Sequence, residues 1–70
     1  MTLHERKVRT ENVIRNAEMM LSKLATETDA EQVALLRRSV AFALLTVNES
    51  KASKAHRLQL DAIRRRLAAA

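Results

Sequence analysis

The sequence predicts an all-α fold, and three observations carry that expectation. Gly and Pro are both absent, which removes the residues that supply positive φ in tight turns and rigid breaks in loops, so a β-rich architecture is disfavoured. Ala, Leu, Arg, Lys, Glu and Met, all strong helix formers, dominate the chain. Apolar residues recur at helical intervals over most of its length. The expected architecture is an antiparallel helical hairpin with a long or broken second helix, in an oligomer; a three-helix bundle is the alternative.

The first helix is expected over about residues 3–27. From Val13 onward Ile14, Ala17, Met20, Leu21 and Leu24 form an amphipathic stripe, and the opposite face carries Glu11, Arg15, Glu18 and Ser22. Glu11 and Arg15 stand four apart, in the order that favours a weak ion pair. The stretch before Thr10 has only Leu3 and Val8 to bury and is expected to fray. Met19 and Met20 beside Leu21 fit core filling, and also a surface able to accommodate varied partners.

A turn is expected at about 26–30, where periodicity lapses in Thr26-Glu27-Thr28-Asp29-Ala30-Glu31-Gln32. Thr28 with Glu31 matches a capping box, Asp29 with Gln32 offers a second register, and a new helix should start near Ala30. So short a connection implies an antiparallel hairpin. The second helix, over about 30–48, has its main stripe at Val33, Leu36, Val40, Ala43, Leu44 and Val47. Leu35, Phe42 and Leu45 project from the other side, interrupted by Arg37, Arg38, Ser39 and Thr46. A two-helix hairpin cannot cover both sides, so Phe42, the lone aromatic, is the best candidate for an interface anchor.

The polar patch Asn48-Glu49-Ser50-Lys51-Ala52-Ser53-Lys54 is compatible with a break or with an exposed stretch of one long helix. If the helix continues, Ala52, His56, Leu60, Ile63 and Leu67 align with Phe42 and Leu45. The favoured reading is a helix of about 38 residues, roughly 57 Å long at 1.5 Å per residue, whose far half packs on another chain. In the alternative, the chain bends at Asn48 to Ser53 and a basic amphipathic helix of about 50–68 folds back over Phe42. The expected partner interface is Leu35, Phe42, Leu45, His56, Leu60, Ile63 and Leu67.

The formal net charge is +5, and it is unevenly placed. Residues 1–27 hold five basic and four acidic side chains, residues 28–50 two and three, and residues 51–70 six and one. Lys51, Lys54, Arg57, Arg64, Arg65 and Arg66 therefore form a basic surface that suits nucleic-acid phosphates or an acidic protein partner. The same pattern fits a solvated face, or cations near a helix C-terminus. No aromatic residue accompanies them for base stacking.

Catalysis has no foothold. His4 and His56 lack a second ligand at metal spacing, and no serine has a histidine placed to activate it. No enzyme activity, metal or cofactor is expected. No apolar run approaches the roughly 18 residues of a membrane span, and the N-terminal stretch lacks the apolar core of a signal peptide, so a soluble, cytoplasmic protein is expected. Chains of 70 residues bury only roughly 60% of their unfolded surface, and without Cys the remaining supports include a protein partner or self-association.

Leu21-Ser22-Lys23-Leu24 closing the first helix and Asp29-Ala30-Glu31-Gln32-Val33 opening the second resemble the small helical-hairpin subunit of the heterodimeric chaperones of type III secretion needle proteins. The likeness covers residues 10–47. It implies a cytoplasmic cochaperone that binds a larger helical-repeat subunit, with Leu35, Phe42 and Leu45 as contacts. Asp29 to Gln32 is also similar to the plasmid copy-number RNA-binding helical hairpin, which implies RNA as the alternative partner.

Overall fold

The computed structural model describes residues 2–70. The described residues contain three α-helices, α1 (Leu3–Thr26), α2 (Ala30–Leu45) and α3 (Lys54–Ala69), and a 3-10 turn at Glu49–Lys51, and there are no strands among them.

Each helix begins where a short polar side chain satisfies an otherwise orphaned N–H group. Thr2 accepts from the Glu5 N–H at 3.1 Å, and α1 begins at Leu3. At the other end Glu27 leaves the helix with extended φ and ψ of −78° and 133°. Its carboxylate oxygen Oε1 accepts from the N–H groups of both Thr28 and Asp29 at 3.1 Å. Asp29 then caps α2 by accepting from the Glu31 N–H at 3.0 Å. Asp29 rather than Thr28 is thus the N-cap, and neither of the two capping boxes open in the sequence, Thr28 with Glu31 or Asp29 with Gln32, is closed among the described residues.

The polar patch is a break. α2 ends at Leu45 rather than near 48, with the Thr46 hydroxyl donating to the Ala43 carbonyl at 2.7 Å. Asn48 adopts an extended conformation, and its side-chain oxygen accepts from the Ser50 hydroxyl at 2.7 Å. Ser53 caps α3 through the His56 N–H at 3.1 Å, so the last helix starts at Lys54 rather than near 50. The single long helix is thus not formed, because side-chain hydrogen bonds do here what Gly or Pro does elsewhere. None of the described residues has a positive φ.

Packing follows from the stripes. α1 lies against both α2 and α3, whereas α2 and α3 touch each other little. Ile14, Ala17, Leu21 and Leu24 of α1, Val40 and Leu44 of α2, and Leu60 and Ile63 of α3 form one core, flanked by Met20, Val33, Leu36, Val47 and Leu67. Each large side chain buried this way contributes about 1.5–3 kcal/mol of transfer free energy. Ala17 is fully buried; with no side chain beyond Cβ it leaves little between the α1 backbone and its neighbours. The molecule measures 40 × 19 × 15 Å.

Candidate interaction surface

The residues expected at one interface separate into two groups. Leu35, Phe42 and Leu45 are 50%, 68% and 83% exposed. They lie on the face of α2 opposite Val40 and Leu44, whose side chains fill the core. Leu60 and Ile63, by contrast, are 0% and 2% exposed. They are covered within the chain, and Leu67 packs beside them. The expected alignment of these residues with Phe42 required an unbroken helix. The segment between Leu45 and Lys54 resets the helical phase and turns them inward.

His56 is also drawn inside. Its Nε2 lies 3.5 Å from Glu11 Oε1, with the two side chains 12% and 42% exposed. The Glu11 carboxylate therefore meets α3 and forms no ion pair with Arg15.

The basic residues stay outside, but they are not equivalent. Arg64 contacts the carboxylates of both Glu49 and Asp61, so much of its charge is already matched. Lys51, Lys54, Arg57, Arg65 and Arg66 are exposed and make no ion pair within the described residues. Lys51 lines an open cleft together with Arg6 and Lys7 from the first turns of α1 and with Ser53 and His56 of the α3 start. Nothing local in the sequence joins Arg6 and Lys7 to Lys51; their meeting depends on α3 returning along α1. Arg37 of α2 donates to the Ala70 carbonyl beyond the end of α3.

Four further large apolar side chains are exposed: Leu3 and Val8 at the start of α1, Met19 and Leu58. Leu58 is exposed on α3 among charged neighbours, and its position off the Leu60 and Ile63 stripe was the signal in the sequence. Met19 is exposed, while Met20 packs on the core. No group of three or more His, Cys, Asp or Glu side chains able to hold a metal occurs among the described residues. None of the described helices is long and apolar enough to cross a membrane. The chain matches no known family model, no curated protein and no solved structure.

Proposed function

We propose that this chain is a non-catalytic helical interaction module, an adaptor or small cochaperone, that docks on a protein chain through the outer face of α2. One observation carries the reading: Leu35, Phe42 and Leu45 stand exposed together on a helix whose other side is already satisfied by the core. Covering an aromatic or branched apolar side chain of this kind contributes about 1.5–3 kcal/mol to an association, and aromatic anchors recur at the centre of protein interfaces. The test compares wild type with Phe42→Asp in affinity capture and in sedimentation. The reading expects the association to be lost while the far-ultraviolet circular dichroism is unchanged. Identical captured proteins and identical mass in the two forms would sink it.

A second reading, nucleic-acid binding, is favoured by the convergence of Arg6 and Lys7 with Lys51 in one cleft. Phosphate contacts there would add to those of Lys54, Arg57, Arg65 and Arg66, and affinity would fall steeply with salt. Anisotropy of labelled RNA and DNA oligonucleotides, at low and at physiological salt, measures it. An absence of binding at low salt removes this reading.

A further inference from the structure

The outer face of α2 has a regularity beyond its exposure. Glu31, Leu35, Arg38, Phe42 and Leu45 follow one another at intervals of four, three, four and three residues. That is the 3.5-residue repeat of a helix-pairing seam, in which side chains of one helix insert between those of another. The buried stripe of α2 lies on the other side, so the seam is free of the core.

The two charges on the seam decide how it pairs. In a parallel, in-register pair Arg38 would face Arg38 and Glu31 would face Glu31, placing like charges together with water partly excluded. In an antiparallel pair, Leu35 can stand opposite Leu45 of the second copy, and Arg38 then falls opposite Phe42 of the second copy. The two-fold axis repeats both contacts. A guanidinium on an aromatic face is favourable, antiparallel helix dipoles attract, and Leu35, Phe42 and Leu45 all gain cover. Sliding the register one step in one direction sets Phe42 against Glu31 and strands Leu45. Sliding it the other way strands Leu35.

Charge distribution favours the same occupant. Only two of the 13 basic side chains fall within residues 28–50, and three acidic ones accompany them. The α2 face is therefore the side on which two chains of net charge +5 approach with least repulsion.

We infer that the outer face of α2 is covered by a second copy of this chain, α2 packing antiparallel on α2 about a two-fold axis with Leu35 on Leu45 and Arg38 on Phe42. This rests on reading that face as a docking surface and specifies its occupant.

The chain contains no cysteine, so an introduced thiol is the only one present. Leu35→Cys and Leu45→Cys are made as separate proteins and treated with a short bis-maleimide, alone and mixed, and the wild type is sedimented over a range of concentrations. The expected results are a wild-type mass twice that of the chain, lost in Phe42→Lys, which sets a like charge against Arg38, without loss of helicity, and a cross-link that forms in the mixture but not in either variant alone. Cross-linking of each variant with itself would overturn the antiparallel register. A monomeric wild type at the highest soluble concentration would overturn the self-pairing itself. If the wild type is monomeric but still captures another protein in a Phe42-dependent way, docking stands and self-pairing falls. If Phe42→Lys changes neither mass nor capture, both fall.

Discussion

Glu11 of α1 and His56 of α3 meet across the seam between their helices, the imidazole Nε2 3.5 Å from the carboxylate Oε1. The contact pairs a nearly enclosed side chain with a half-open one, and it sits one turn from the Ser53 cap that starts α3. It lies where the first turn of the last helix meets the first helix, beside the Leu60 and Ile63 packing.

Replacing the two partners separates packing from charge. His56→Ala removes an enclosed ring and is expected to destabilise the protein by about 1 kcal/mol, the centre of the range for single substitutions. Glu11→Ala, at a half-open side chain, is expected to cost less, under about 1 kcal/mol. Urea unfolding followed by circular dichroism measures both, and a larger loss for Glu11→Ala than for His56→Ala contradicts the assignment.

Leu60→Ala provides the sharpest test of where α3 packs. A leucine fully enclosed by its own chain costs about 2–5 kcal/mol when cut to alanine. A domain of this size has little stability to lose, so the variant should show greatly reduced helicity near room temperature. Phe42→Ala, at an exposed position, should retain wild-type helicity. Equal effects of the two substitutions on helicity would mean that Leu60 is not in the core.

Ala17→Leu is expected to destabilise by about 1–3 kcal/mol through overpacking, because Ala17 is fully buried within the core. Its exposed helical neighbour Asn16 is the control: Asn16→Leu should fall within about 0.5 kcal/mol of wild type, as surface substitutions do. Thermal unfolding distinguishes the two.

The turn between α1 and α2 depends on two acidic side chains acting in sequence. Asp29→Ala removes the α2 cap and should cost about 1 kcal/mol. Glu27→Ala frees two N–H groups in a turn open to water, and solvent satisfies them, so the loss should be smaller. Ser53→Ala should resemble Asp29→Ala and loosen the start of α3. Amide hydrogen exchange reads these effects locally, with faster exchange expected at Glu31 and His56 respectively.

The first two helices were legible in the sequence because their signals are local. The stripe from Val13 to Leu24 and the cap residues at Asp29 lie within a few residues of what they specify. The exposure of Leu35, Phe42 and Leu45 followed from the same periodicity, since one helix face cannot be on two sides. The return of α3 was legible only as the less favoured alternative. Its stop and start are made by Thr46, Asn48, Ser50 and Ser53, residues equally at home on an exposed helix face. Carrying the helical phase across them as one unbroken helix is what set Leu60 and Ile63 on the face of Phe42. The cleft that joins Arg6 and Lys7 to Lys51 was hidden for the same reason: it is a product of the return.

Both reversals of this chain are made in ordinary backbone, with no described residue at positive φ. No turn position is therefore reserved for a residue without a side chain, and what holds each corner is a handful of hydroxyl and carboxylate groups of modest individual strength. Under drift, the connections should accept wide changes of residue provided a capping oxygen survives at Thr2, Asp29 and Ser53. A set of related chains would then show variable corners with those three positions limited to Ser, Thr, Asp or Asn.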